Sequence, residues 1–288
     1  MLIEVGTTEE LKNVVQQYPG VVLDIVDQVP VLTMEGFRLP RIRAGFSTRL
    51  GGVSSGIYAS MNLALRIGDD ETDVLTNYER FGNALGVDHR RISCPDQVHK
   101  TKILVAGETD AGDGILRDKT HQEIDAQITD VKELPLIVFA ADCVPILFAD
   151  PVHHVVGSAH AGWRGSVAGI AAKTVKKMQE VYGSEPADIL VMIGPSAGPE
   201  GYEVDETVAR EVRTCGIREE EVLLPSERPG HSYLNLWELN RQLLCGAGVS
   251  HEHIHIMGIS TLQYPQFFFS HRRTEGKRGL NAGIISIG

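Results

Sequence analysis

The chain has 288 residues, 42% hydrophobic and 23% charged, with a mean hydropathy of -0.06, a balance that excludes disorder, collagen and coiled coil. Its longest unbroken apolar run, 134–141, is far short of the roughly 18 residues of a spanning helix, so no membrane partner is expected. With 27 Lys+Arg against 38 Asp+Glu the net charge is -11, which repels a phosphate backbone and argues against nucleic acid as a partner.

Residues 1–40 read as a peripheral N-terminal segment. Within it, 1–12 is acidic and lacks a basic stretch followed by an apolar one, so no secretory signal is read and a cytoplasmic location is expected. A Thr-Glu-Glu start and the stop at Pro19-Gly20 predict a short helix over 7–18. Runs rich in β-branched residues predict strands at 21–26, 42–47, 102–106, 136–141, 144–149, 154–159, 189–193 and 254–260. Helical periodicity marks 74–85, 166–181, 206–215 and 236–245, most clearly the second, where Val167, Ile170, Ala171, Thr174, Val175 and Met178 share one face. Many strands with few interspersed helices predict an α+β fold. No linker or repeat divides the chain, so a single domain over 1–288 is expected. The cysteines Cys94, Cys143, Cys215 and Cys245 contain no C-x-x-C pair and read neither as a disulfide framework nor as a zinc knuckle.

The most informative stretch is 136–165, where polar residues interrupt apolar strands. Asp142, Cys143 and His160 fall at strand ends, places from which side chains reach a cleft. Taken singly, Cys143 fits a buried packing thiol and His160 a structural histidine. His99, in Gln97-Val98-His99, stands before another strand. Together His99, Cys143 and His160 supply two imidazoles and one thiolate, a donor set that suits zinc and leaves a fourth position for water. No local ligand pair anchors the set, so spacing alone is a weak signal.

The turn at 160–165 places Trp163 and Arg164 at a helix start, whose amides would favour an anion. The loop 47–56 combines Arg49 with glycines and hydroxyls that could wrap an oxyanion, with Asn62 nearby. Each also reads as an ordinary turn. A basic run, 270–273 with Lys277 and Arg278, fits solvated surface. His251, His253 and His255 alternate as ligands on a strand would, but are discounted as an exposed loop.

Assembled in order, T-R-x-G-G-V-S-x-G, Q-V-H, A-D-C-x-P-I-L, A-H-A-G-W-R-G, I-G-P with a later Y-E-V, and F-F-S-x-R-R resemble the laccase-domain family from about residue 46 onward. That family, described as multicopper polyphenol oxidases, has been reassigned to purine nucleoside phosphorylase activity. The resemblance implies a layered α/β/β/α sandwich with mixed sheets and a metal site at His99, Cys143 and His160, loaded with zinc or, alternatively, copper. It also implies purine nucleosides and phosphate as partners, with phosphorolysis of adenosine, inosine, guanosine and methylthioadenosine and deamination of adenosine. Glu200-Gly201 and Ser260 depart from a family pattern that often has cysteine there, and neither touches the expected metal shell. For this chemistry Arg49, Asn62 and Arg164 are the candidate phosphate-binding residues and Asp142 a candidate proton shuttle. Three other readings stay open: a copper-dependent phenol oxidase, a Cys-His hydrolase or amidase editing cell-wall precursors, and a binding module without turnover. Oligomeric state is not readable from the chain.

Overall fold

The computed structural model describes residues 3–288. In chain order the elements are α1 (Thr8–Val15), β1 (Val21–Val26), β2 (Val29–Met34), β3 (Ile42–Ser47), α2 (Glu71–Leu85), β4 (Ile103–Val105), β5 (Ala126–Thr129), β6 (Leu136–Ala140), β7 (Val144–Asp150), β8 (Val155–Ala161), α3 (Trp163–Val167), α4 (Ile170–Tyr182), β9 (Leu190–Ile193), β10 (Glu203–Asp205), α5 (Glu206–Arg213), α6 (Glu219–Val222), β11 (Leu223–Pro225), β12 (His231–Leu234), α7 (Leu236–Gly246), β13 (Ile254–Ile256) and β14 (Asn281–Ile287).

Two sheets carry the fold. One runs β1-β2-β3-β14-β6 and is antiparallel throughout. The other runs β13-β9-β7-β8-β5-β4, parallel at its two edges and antiparallel between them. Because side chains alternate along a strand, each strand feeds two cores. Leu136, Val138 and Ile285 of the first sheet meet Leu147, Val156 and Met192 of the second in the space between the sheets. The alternate residues face outward. Ile146, Phe148 and Val191 pack under Ile170 and Val175 of α4 and Leu239 of α7, and Ile137, Phe139 and Ile284 pack under Val74, Tyr78 and Phe81 of α2. The result is an α+β protein with the α/β/β/α layering, in a single domain. Covering both faces explains why β6 and β7 read as continuous apolar runs. A small third sheet, β10-β12-β11, sits beside α5 and α6.

Two expectations are corrected. The segment 1–40 is not peripheral as a whole: Leu11 of α1 is buried, and all six residues of β2 are buried inside the first sheet. The single helix expected over 166–181 is two, α3 and α4, divided at Gly169, whose φ of 75° lies in the left-handed region that breaks a helix.

Candidate metal centre

Three segments converge at one end of the second sheet. His160 is held rigidly within β8, and its neighbour across the ladder is Pro145 of β7. Cys143 sits in the tight turn between β6 and β7. His99 lies on the loop before β4, and Gln97 ties that loop to β6: its side-chain amide donates to the Phe139 carbonyl at 2.9 Å and accepts from the Phe139 N–H at 2.7 Å. Gln97 thereby extends the sheet ladder by one side chain, which is why the residue two places before His99 matters.

The ligand atoms of His99, Cys143 and His160 all lie within 4.8 Å of one another. The two imidazole rings meet edge to face with centroids 4.7 Å apart. Bonds of about 2.0–2.3 Å at tetrahedral angles place ligands roughly 3.5 Å apart, so a small inward adjustment would close the set on an ion. At Gly162 a Cβ would stand 2.8 Å from His99 Nδ1 and 2.9 Å from Cys143 Sγ, so glycine there lets the backbone lie against two of the three donors. Donor chemistry and geometry both fit a divalent metal. Among the described residues this is the one group of three or more His, Cys, Asp or Glu side chains so gathered; His251, His253 and His255 do not form one.

Asp125, just before β5, organises the group and belongs to none of the sequence motifs. One of its oxygens accepts the His160 Nδ1–H at 2.9 Å, which leaves Nε2 for a metal. The same carboxylate accepts the consecutive backbone N–H groups of Val98, His99 and Lys100 at 3.2, 2.9 and 2.7 Å. Burial works against its charge, but these hydrogen bonds hold its pKa below the usual carboxylate range. Burial likewise opposes the Cys143 thiolate, yet the charge of His160 and hydrogen bonds from both histidines bring the thiol down to about 6. His160, against its burial, is raised to about 9 by the Cys143 thiolate and Asp125. One donor and one neighbour of a donor have left-handed backbones, His99 with φ 63° and Asp142 with φ 89°, conformations that L residues adopt at a cost and that gather at functional sites.

The other predicted residues fare differently. Asp142 is buried with both oxygens occupied, one accepting from Thr261 Oγ1 at 2.7 Å and the other from the Arg272 N–H at 2.7 Å. It clamps the Cys143 turn to the 261–272 segment, and a proton shuttle is not favoured there. Arg49 is 3% exposed and donates to the carbonyls of Ala59 and Pro265 at 2.7 and 2.9 Å; burial lowers its pKa to about 10. Asn62, fully buried, donates to Ala64 O and Asp69 and accepts from the N–H groups of Ala64 and Leu280. Both are committed to the fold rather than to phosphate. Arg164 is exposed and stacks on Trp163, its guanidinium 4.2 Å from the ring centroid. The helix it lies in, α3, has only 5 residues, too short for much of an aligned dipole.

A cleft of about 440 Å³ opens onto the donors, lined among others by His99, Cys143, His160, Phe139, Lys119 and Arg278. Arg278 comes from the run that reads as surface in the sequence. Burial lowers its pKa against the opposing pull of Asp142 and Cys143. Tyr202 is pushed up to about 12, chiefly by burial and then by the charge of Cys143. Tyr202 is the tyrosine of the Y-E-V motif, whereas Arg278 has no sequence signal beyond the basic run it belongs to.

Residues 43–288 match the family model described as multi-copper polyphenol oxidoreductase laccase. The chain belongs to this family. It is 36% identical over 246 residues to purine nucleoside phosphorylase YlmD of Bacillus subtilis, covering 85% of this chain and 88% of that protein. With its counterpart of the same name in Geobacillus stearothermophilus it shares 39% over 243 residues, 84% and 89% of the two chains. Among solved structures it resembles the Bacillus licheniformis hypothetical protein YfiH, with a TM-score of 0.88, 35% identity and coverage of 94% of this chain and 100% of that one. These relatives support a nucleoside-processing enzyme for this member of the laccase-like family. No helix among the described residues is long and apolar enough to cross a membrane.

Proposed function

We propose that the protein is a purine nucleoside phosphorylase that cleaves adenosine, inosine, guanosine and methylthioadenosine with phosphate and also deaminates adenosine. The observation that carries this reading is the meeting of His99, Cys143 and His160 in a cleft of about 440 Å³ whose rim bears Arg66, Lys119 and Arg278. The volume lies within the roughly 300–1,000 Å³ of small-molecule pockets, and the relatives' names supply the substrate class.

Phosphorolysis breaks the bond between ribose C1′ and the purine nitrogen, forms a bond from C1′ to a phosphate oxygen, and needs a proton for the departing base. Positioning supplies most of the rate. The apolar wall of Leu65, Phe139 and Leu280 offers a surface for the base, and the basic rim offsets the charge of phosphate in a chain that is acidic overall. His99, Cys143 and His160 would hold zinc, with copper as the alternative occupant; the ion would supply Lewis acidity and the activation of water that deamination requires. Asp125 fixes the tautomer of His160 and the loop of His99, so the donors need little reorganisation.

A second reading has one specific observation behind it. Cys143, His160 and Asp125 line up as thiol, imidazole and carboxylate, with the thiol drawn down to about 6, as a Cys-His hydrolase needs. The deciding experiment measures bound metal and purine release with and without phosphate, for the wild type and Cys143→Ala. We expect about one zinc per chain, phosphate-dependent cleavage, and loss of both in the variant. Cleavage without phosphate would replace this reading with hydrolysis, and full phosphate-dependent turnover by metal-stripped protein would remove the metal from it.

A further inference from the structure

The proposed reaction needs a fixed counter-charge for phosphate, and the basic residues of the cleft are not equivalent. Arg66 is ion-paired to Asp118 at 2.8 Å on the exposed rim. Lys119 donates to the Pro95 carbonyl at 2.8 Å and lies 3.6 Å from Asp96. Arg278 differs. Its Nε is buried with no hydrogen-bond partner among the described residues, and its Nη2 reaches only the Nδ1 of His271, at 3.3 Å. It lines the cleft beside Cys143 and His160, and also a small cavity with Ser270, Thr274 and Lys277.

The position of Arg278 is set by Gly279 and Leu280. Leu280 donates its N–H to Asn62 Oδ1 at 3.0 Å. A Cβ at Gly279 would stand 2.8 Å from the Phe269 ring and 2.9 Å from Asn62, so the chain there is pressed against both. Asn62, expected to touch phosphate, thus acts on the segment that carries Arg278. A buried guanidinium N–H without an acceptor is costly, and the planar fork of arginine matches two oxygens of a tetrahedral oxyanion.

We propose that Arg278 is the residue that recognises inorganic phosphate, its guanidinium turning to set two N–H groups on phosphate oxygens in the cleft beside His99, Cys143 and His160. This rests on the phosphorolytic reading above. The test uses metal-loaded protein and inorganic phosphate as the probe, with calorimetric phosphate titration and steady-state kinetics on inosine for the wild type, Arg278→Lys and Arg278→Met. Losing charged hydrogen bonds is expected to raise the phosphate Kd and KM roughly 10- to 100-fold in Arg278→Met. Arg278→Lys, which keeps the charge and loses the fork, falls between. Bound metal and the KM for inosine stay near wild-type values. A phosphate Kd within twofold of wild type in folded Arg278→Met overturns the assignment, as does full retention in Arg278→Lys should the Met variant not fold. Phosphate binding that depends on Arg278 without any phosphorolysis would instead keep the site and sink the reaction.

Discussion

The two histidines of the candidate metal centre are held in opposite ways. His160 is built into a central strand, 4% exposed, with its ring nitrogen bonded to Asp125 at 2.9 Å. His99 stands on an exposed loop with a left-handed backbone, and Asp125 grips its N–H, not its ring. One donor is fixed by the sheet and the other by a loop pinned to it. The difference shows how a site can be accurate without being rigid everywhere: one carboxylate references a movable ligand to an immovable one.

The hardest blow to this contrast is removal of the shared anchor. Asp125→Ala orphans three consecutive N–H groups and the His160 Nδ1–H together, and we expect a loss of about 3–5 kcal/mol in urea unfolding of metal-free protein. The same carboxylate sets an acid dependence. Its folded pKa is lowered, so its contribution is full above the unfolded value of about 3.9 and is lost as pH falls through the lower folded value. Stability of Asp125→Asn measured from pH 6 to 2 should therefore lack that part of the acid decline; an unchanged decline would show that Asp125 does not carry it.

Exchanging single histidines sharpens the comparison with a smaller effect. His160→Ala should lower both stability, by about 2 kcal/mol for a buried and bonded side chain, and metal affinity. His99→Ala should lower metal affinity alone, with stability within about 0.5 kcal/mol of wild type. Chelator competition together with thermal melts measures the pair, and equal melting losses in the two variants would erase the asymmetry.

The mildest probe is chemical. In metal-stripped protein Cys143, with its thiol at about 6, should be alkylated by iodoacetamide well below neutral pH, whereas buried Cys94, raised to about 11, should stay unmodified. Peptide mapping across pH 5–9 reads this directly. Modification of Cys143 that rises only above pH 8 would mean that His160 does not stabilise its thiolate.

Much of this centre is legible in the chain because ligand chemistry is local: two imidazoles and a thiol at strand ends keep their meaning wherever they sit. Asp125 is not, since its role exists only through backbone N–H groups 25–27 residues away. Arg49 and Asn62 mislead for a related reason, as sequence shows a polar side chain but not its burial. In the fold, β6 and β7 are legible as apolar runs, while β14, Asn-Ala-Gly-Ile-Ile-Ser-Ile, and β5, Ala-Gln-Ile-Thr, hide their strand character behind small and polar residues. Gln127 of β5 is fully buried because its amide joins Ser93 and the Ile137 carbonyl, a partnership made by tertiary neighbours. The break at Gly169 is masked by an unbroken apolar periodicity on either side.

The place of β14 between β3 and β6 has a consequence for biosynthesis. During translation β3 and β6 emerge long before the strand that joins them, and until residues 281–287 arrive each presents unpaired N–H and C=O groups. Productive collapse of that half of the molecule must therefore wait on late contacts across large sequence separations, which slows it and leaves a nascent intermediate open to mispairing with neighbouring chains.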